Sequence, residues 1–353
     1  MKYLRILLLP FSLVYGLIVI IRNFLYDAGL FRSHRFNLPV ISVGNLEVGG
    51  AGKSPMTEYM IRLLKTDHKL ATLSRGYGRI TKGYVLALNN PSAADIGDEP
   101  AQFKSKFPDV TVAVCERRVY GIEQLQNDHD LIILDDAYQH RAVKPGLSIL
   151  LFDYNSLNNP RWVLPAGNYR EPFFGKWRAG IIIVSKCPAD LPQAELEYIV
   201  RRIAPQPYQQ MFFTSITYLG LQDMQGCAST TVIDADLTVF LLTGIANPQP
   251  LVSHIKKQTT NLVHHNYPDH HRFSLKNITK LADEFAAHPS QKKVIITTEK
   301  DAQRLGEQEL LPLVKKLPFL VLPIGISFLH HGDEFDKMII QYVSEYREHH
   351  PIH

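Results

Sequence analysis

Between residues 38 and 185 the chain alternates short apolar runs with mixed segments of helical spacing. The runs are LPVISV (38–43), KLATLS (69–74), VTVAV (110–114), LIILD (131–135), LSILLF (147–152) and GIIIVS (180–185). They are of strand length and nearly continuous in apolar character, the pattern of strands covered on both faces. Pro55 to Leu64, Glu99 to Phe107 and Arg118 to Gln126 are helix candidates between them. This alternation predicts a parallel sheet with helices on both faces. A second cycle follows, with TVFLLTGI (238–245), KVIITTE (293–299) and FLVLPIG (319–325) separated by helix candidates near 248–258 and 275–287. It predicts a second, smaller α/β domain. QQMFFTSITYLGLQDMQG (209–226), with alternating positions and glycine turns, suits a connecting strand pair. The expected organisation is an N-terminal helix over 1–30, a core domain over 31–205, a connector over 206–230 and a smaller domain over 231–353 that completes a cleft.

The first thirty residues depart from this pattern. ILLLPFSLVYGLIVII runs from Ile6 to Ile21 without a charge, between Arg5 and Arg22. At 1.5 Å per residue this is about 24 Å of helix, short of a hydrocarbon core of about 30 Å. No small-residue cleavage site follows, and export would carry a nucleotide-binding loop to a compartment without ATP, so a retained membrane helix is expected rather than a signal peptide. Arg22, Arg32 and Arg35 outnumber Lys2 and Arg5 across the segment, which places the following domains in the cytoplasm. Pro10 and Gly16 leave open whether the helix spans the membrane or lies in it.

Composition adds three limits. A chain of 353 residues, 45% hydrophobic and 20% charged, is long enough for two packed cores. The formal charge of +4 suits a membrane surface or an anionic substrate, but no dense Lys/Arg run with interleaved aromatics marks a nucleic-acid face. Cys115, Cys187 and Cys227 are far apart and odd in number, so they form neither a disulfide framework nor a Cys-x-x-Cys metal site.

The strongest chemical signal is ISVGNLEVGGAGKSP (41–55). A Walker loop, G-x-x-x-x-G-K-[ST], needs a glycine where Glu47 stands. The context nevertheless fits: a strand precedes and a helix follows, with Pro55 in its first turn. Gly49, Gly50 and Gly52, with Ala51 between them, allow the turns that aim N–H groups at phosphate oxygens. Lys53 is then placed to reach the β- and γ-phosphates of ATP, and Ser54 to bind Mg²⁺. The spacing is nearest to the deviant form K-G-G-x-G-K-[ST], with Val48 at the signature lysine. Glu47 falls outside the glycine core.

DLIILDDAYQHR (130–141) supports that reading, because a Walker-B strand delivers an aspartate to Mg²⁺ at the carboxyl edge of such a sheet. Asp135 and Asp136 both qualify. Adjacent strand residues face opposite ways, so one is expected near the metal and the other on a neighbouring loop. In GDEP (97–100), Asp98 and Glu99 either cap a helix or supply a carboxylate that accepts a proton from a hydroxyl. SRGYGR (74–79) places Arg75 and Tyr77 beside glycines, in a loop able to clasp a phosphate or sugar. HHNYPDHHRF (264–273) invites a zinc site, but it lacks acidic or Cys partners at ligand spacing, and Asp269–His270 as a base-assisting pair is the sharper idea. SKCPAD (185–190) resembles the guanine-reading [NT]-K-x-D motif, yet Pro188 stands at the Asp position.

Taken together, SVGNLEVGGAGKSP, LSRGYGR, GDEP, ILDDAYQHR, LPAGNYREP, LTGIANPQP, YPDHHRF and TTEKDAQRL, in order from residue 42 to 305, resemble the tetraacyldisaccharide 4′-kinases, the lipid A 4′-kinases of Gram-negative bacteria. Ala137, Tyr138 and Asn168 depart from the family's usual Gly, Phe and Pro, and the Ala137 backbone must then avoid φ > 0. The resemblance implies a P-loop NTPase-like fold and transfer of phosphate from ATP, with Mg²⁺, to the 4′-hydroxyl of a tetraacylated glucosamine disaccharide 1-phosphate, giving lipid IVA. It implies an enzyme at the cytoplasmic face of the inner membrane, where the acceptor lipid is anchored; a monomer is expected. By match of motif, Lys53 and Ser54 bind phosphates and Mg²⁺, Asp135 and Asp136 take the Walker-B role, and Asp98 is the base, paired with His270 across the two domains. Glu99, Arg75, Tyr77, Arg170 and Glu171 are candidates for the acceptor side. The competing expectation is a membrane-associated, deviant-Walker NTPase acting as a switch or metallochaperone.

Overall fold

The computed structural model describes residues 5–88 and 91–349. Lys2, counted among the flanking charges above, lies outside the described residues, as do residues 1–4 and 350–353 at the ends of the outermost expected domains.

The larger lobe is built on a nine-stranded sheet. Its strands in chain order are β1 (Val40–Asn45), β2 (Leu70–Ser74), β3 (Val85–Leu86), β4 (Thr111–Val114), β5 (Leu131–Asp135), β6 (Leu147–Asp153), β7 (Ile181–Ser185) and β8 (Gln210–Tyr218). The smaller lobe contributes β9 (Thr238–Thr243), β10 (Leu262–Asn266), β11 (Lys293–Thr297) and β12 (Phe319–Val321), after which β13 (Ile324–Phe328) returns to the large sheet. The large sheet has the order β13-β8-β7-β6-β1-β5-β2-β4-β3, and the small one β10-β9-β11-β12. All pairings are parallel except β3 on β4 and β13 on β8, at the two edges of the large sheet.

Both faces of the large sheet are covered, as the continuous apolar runs require. Alternate residues of one strand enter different cores. Ile41 and Val43 pack with Met56, Met60, Ile61 and Phe103, while Val40 packs with Ala71, Ile122 and Leu125 on the opposite face. A third cluster, under Leu150, Ile182 and Val184, receives Leu196, Ile199 and Ile203 of helix Gln193–Ile203. In the small sheet Val239 and Leu241 face helix Gln249–Lys256 through Leu251 and Ile255, and Phe240 and Leu242 face helix Leu275–Ala287 through Ile278 and Leu281.

Three features differ from expectation. The stretch expected to be a connector supplies β8, a full strand of the large sheet, and the strand pairing within it reduces to an isolated bridge between Gln222 and Ala228. The run at 319–325 divides at Pro323, whose missing N–H interrupts the ladder: β12 stays in the small sheet and β13 crosses back. Helix Gly332–His349 follows it and inserts Phe335, Ile339 and Val343 into the larger lobe's core. Phe335 lies 5.3 Å from Phe212 and 4.7 Å from Phe328, ring to ring. The C-terminal segment therefore belongs to the larger lobe by packing and not to the smaller one.

The N-terminal helix Leu9–Asp27 is long and apolar enough to cross a membrane, yet it packs along the larger lobe through a narrow stripe. Ser12, Gly16, Val19 and Asn23 are its buried residues, at the i, i+4, i+7, i+11 spacing of one helix face. The Ala166 N–H donates to Ser12 Oγ (2.8 Å), Asn23 Nδ2 donates to Glu171 (3.1 Å), and Tyr15 donates to the Arg170 carbonyl (2.8 Å). Phe11, Leu13, Val14, Leu17, Ile18 and Phe24 are exposed. This inverts the polarity of a soluble surface helix, whose apolar stripe faces the protein.

Candidate active site

β1 ends at Asn45, and the chain turns through the glycine loop into helix Lys53–Leu64. Gly52, the N-cap of that helix, has φ 79°, a left-handed conformation that glycine adopts without a Cβ clash. No side chain caps the helix, and among the described residues no acceptor takes the N–H groups of Gly50, Gly52, Lys53 or Ser54. Together with the helix dipole they form a site for phosphate oxygens. Lys53 Nζ donates to Asn45 Oδ1 (3.2 Å) and lies 3.7 Å from Asp136 Oδ1. Glu47 turns away from the loop. Its carboxylate accepts from Ser156 Oγ (3.2 Å), its backbone bridges to Tyr169, and burial raises its pKa.

The two aspartates at the end of β5 diverge, as alternation requires. Asp135 is buried and accepts from Thr57 Oγ1 on the glycine-loop helix (3.1 Å). Burial, followed by the carboxylates of Glu99 and Asp136, pushes its pKa up to about 7. Asp136 leaves the strand with φ 47° and meets Arg170 Nη1 (2.9 Å). Burial would raise its pKa, but Lys53 and Arg170 outweigh it and lower the value. The positive φ that Ala137 had to avoid thus falls on Asp136.

Glu99 also sits beside the glycine loop. It accepts from Ser54 Oγ (3.3 Å) and from Lys300 Nζ of the smaller lobe (2.8 Å). Ser54 Oγ and the carboxylates of Asp135, Asp136 and Glu99 stand around the loop as oxygen donors, with no three carboxylates closing into a metal cluster among the described residues. A set of few carboxylates and a hydroxyl fits Mg²⁺, which is typically held by one or two carboxylates plus substrate phosphates.

Asp98 opens helix Asp98–Lys106, where the dipole favours a carboxylate. Its Oδ2 takes donors from the smaller lobe: Arg304 through Nε (3.1 Å) and Nη2 (2.5 Å), and His270 through Nδ1 (2.9 Å). Its Oδ1 has no hydrogen-bond partner among the described residues. Burial acts to raise the Asp98 pKa, but the His270 and Arg304 hydrogen bonds outweigh it and hold the group at about 2. The bond to Asp98 raises the His270 pKa against burial.

His270 is itself held by its backbone, with φ 56° and its N–H bonded to the Gly244 carbonyl (3.1 Å). Gly244 is crowded, since a Cβ there would stand 3.1 Å from Asp301 Oδ1 and 3.3 Å from the His271 Cβ. Buried Asp301 accepts from the Gly244 N–H (3.0 Å), from Thr298 Oγ1 (2.8 Å) and from Arg304 Nη1 (2.9 Å). The LTGIANPQP and TTEKDAQRL segments thus form one cradle for Arg304 and His270.

The remaining candidates divide. Tyr77 is 76% exposed, with its ring centroid 6.0 Å from that of His270, and Arg75 is exposed beside it. Arg170 is tied to Asp136. Glu171 differs from the acceptor-side expectation: its carboxylate is buried and filled, accepting from Arg178 (2.9 Å), Gln139 (2.9 Å) and Asn23. It anchors the N-terminal helix beneath the site. The four histidines do not converge either. His264 meets Thr243, His265 meets Glu284, His270 meets Asp98 and His271 meets Asn277, and no metal cluster occurs among the described residues.

Sequence reasoning left Arg304, Lys300, Asn45 and Arg118 without a role. Arg118 is buried with its Nη1 on the Cys115 carbonyl (2.8 Å), and it has no carboxylate ion pair among the described residues. Burial lowers its pKa to about 10 against the attraction of Asp136 and Asp135. His140 nearby is lowered to about 4, by burial and then by Arg118, Arg22 and Arg75. Charged residues on the otherwise mixed helix Glu299–Leu305 were the available signal for Arg304 and Lys300.

Comparison with known proteins gives the family. Residues 4–344 match the family described as tetraacyldisaccharide-1-P 4′-kinase. A tetraacyldisaccharide 4′-kinase of Phocaeicola vulgatus is 44% identical over 345 residues, covering 95% of this chain and 94% of that protein. One from Bacteroides thetaiotaomicron is 44% identical over 353 residues, covering 96% and 93%. Among solved structures, LpxK from Aquifex aeolicus, crystallised in complex with ATP, aligns with a TM-score of 0.76 and 28% identity over 96% of this chain and 99% of that one. These matches do not favour the switch or metallochaperone alternative. With the fold, the order of the motifs and the relatives in agreement along nearly its whole length, the chain belongs to the tetraacyldisaccharide-1-phosphate 4′-kinase family and is a kinase.

Proposed function

We propose that the cleft between the lobes transfers the γ-phosphoryl group of ATP to the 4′-hydroxyl of a tetraacyldisaccharide 1-phosphate, with Asp98 as the proton acceptor. The observation that carries this reading is the asymmetry of the Asp98 carboxylate: Oδ2 is filled by three donors from the other lobe, and Oδ1 is left for a substrate hydroxyl. In the transfer, the bond between the γ-phosphorus and its bridging oxygen breaks, the bond from phosphorus to the acceptor oxygen forms, and the hydroxyl proton passes to Oδ1. A carboxylate held near 2 is a weak base. It suffices because a loose phosphoryl-transfer transition state needs little proton abstraction before the leaving bond has lengthened. His270 and Arg304 keep the carboxylate ionised and aimed.

Lys53 and the free N–H groups of the Gly49–Ser54 loop bind the phosphates, and Ser54, Asp135 and Asp136 would hold Mg²⁺, which would supply charge neutralisation to the transferring group. Arg75 and Tyr77 line the acceptor side. Arg118, buried and without an ion pair among the described residues, adds positive charge near Asp135 and Asp136.

The exposed apolar face of helix Leu9–Asp27 lies in the cytoplasmic leaflet of the inner membrane, bringing the cleft to an acceptor that is itself lipid-anchored. The test is incubation of detergent-solubilised protein with γ-labelled ATP and tetraacyldisaccharide 1-phosphate. Label in the lipid is the expected result, and label released only as inorganic phosphate contradicts the reading.

A further inference from the structure

SKCPAD (185–190) takes no part in the transfer described above, yet it packs directly on the glycine loop. Ser185, the last residue of β7, lies within donor reach of the Ala51 carbonyl (2.8 Å) and the Phe152 carbonyl (3.1 Å). Lys186 follows with φ 60°, a backbone state unfavourable for any residue bearing a Cβ. Its Nζ donates to Asp153 Oδ2 (2.7 Å), and the same ammonium stands 4.0 Å from where a Cβ on Gly50 would be. Asp153 is paired in register with Ser185 across β6 and β7, and its Oδ1 accepts from the Asn155 N–H (2.9 Å). A strained backbone and a fixed ammonium therefore hold the Lys186 stem in one place beside the loop.

Strand order says what passes over that place. On one side of β1 lie β5, with Asp135 and Asp136, and β2, followed by Arg75; on the other lie β6, ending at Asp153, and β7, followed by Lys186. A nucleotide whose γ-phosphate faces the aspartates and whose phosphates rest on Gly49–Ser54 must run its nucleoside over the carboxyl ends of β6 and β7. We propose that Lys186, pinned by Asp153, is the platform against which the nucleotide base stacks. Its methylenes offer a flat apolar contact, partly exposed beside the loop, and Asp153 occupies the ammonium. Pro188 leaves no carboxylate at the place where a guanine-reading motif carries one, so the platform favours the breadth of a purine over a pyrimidine without selecting guanine.

This inference rests on the glycine loop's being the phosphate site, and the test separates the two. Lys186→Gly removes the stem and suits φ 60° without strain. It is expected to keep or raise the melting temperature, to raise KM for ATP about tenfold, the equivalent of 1.4 kcal/mol, and to narrow the preference for ATP over CTP. Inhibition by inorganic tripolyphosphate, which has no base, is expected to be unchanged, and Lys186→Met, which keeps a stem, to stay nearer wild type in KM. An unchanged KM for ATP in Lys186→Gly overturns the platform. So does an equal weakening of tripolyphosphate, which would make Lys186 a phosphate contact. Failure of tripolyphosphate to compete with ATP in the wild type overturns the phosphate-loop reading beneath it.

Discussion

His270 Nδ1 stands 2.9 Å from Asp98 Oδ2, a contact between residues 172 positions apart that joins the smaller lobe to the larger. Arg304 reaches the same oxygen from the same lobe, and Lys300 reaches the neighbouring Glu99. The carboxylate proposed to accept the proton therefore has its ionisation and aim set by the other half of the molecule. Opening the lobes would strip these donors from the carboxylate.

Arg304→Gln removes the hydrogen bonds and charge that, after the His270 hydrogen bond, offset Asp98 burial. The Asp98 pKa should rise, and the acid limb of the kcat/KM profile should move to higher pH, with turnover at pH 8 the least affected. A pH–rate series on wild type and variant checks this, and an unmoved acid limb would separate Arg304 from the ionisation of Asp98.

The His270–Asp98 contact also makes stability pH-dependent. His270 has a raised pKa, so its contribution is full below its ordinary 6.5 and is lost as pH rises through the folded value. Asp98 has a depressed pKa, so its contribution is full above its ordinary 3.8 and is lost as pH falls through about 2. The contact is strongest between those ordinary values. The melting-temperature gap between wild type and His270→Asn should accordingly shrink from pH 6 to pH 8.5. His270 is nearly half exposed, so the effect is small.

Glu47 and Lys53 should behave oppositely. Glu47 is bonded to Ser156 and directed away from the phosphate loop, so Glu47→Gln should barely change KM for ATP. Lys53→Ala should lose on the order of 10²–10³ in kcat or more, the scale of one removed transition-state donor. A severe ATP-binding defect in Glu47→Gln would return that residue to the nucleotide site.

The two faces of helix Leu9–Asp27 should separate membrane binding from folding. Leu13→Asp with Leu17→Asp alters only exposed positions, and at about 1.5–3 kcal/mol per leucine it should weaken vesicle binding by two orders of magnitude or more while leaving the melting temperature unchanged. Asn23→Ala breaks the buried bond to Glu171 and should lower stability by about 1 kcal/mol instead. Co-sedimentation with anionic vesicles and thermal unfolding measure the two.

Much of this arrangement was legible in the residues. The apolar runs at β1, β2, β5, β6 and β7 announced a sheet covered on both faces, and the glycine loop and the paired aspartates announced its ligand edge. β10 was hidden by its two histidines, which gave an apolar strand a polar appearance. The return of β13 and helix Gly332–His349 to the larger lobe was invisible because a break at Pro323 marks where a strand ends, not which sheet the next one joins. Glu171 adjoins Arg170 in sequence, and nothing local told the buried anchor from its neighbour at the aspartates. Arg304 escaped because its partner lies 206 positions away, and only tertiary structure brings such a pair together.

The most direct test is single-turnover transfer of label from ATP to tetraacyldisaccharide 1-phosphate by wild type, Asp98→Asn, His270→Asn and the double variant. The account predicts a loss on the order of 10²–10⁴ in rate for Asp98→Asn with KM for ATP retained, and a double variant little worse than Asp98→Asn, because the two residues act as a unit. Near-wild-type turnover by Asp98→Asn would contradict it.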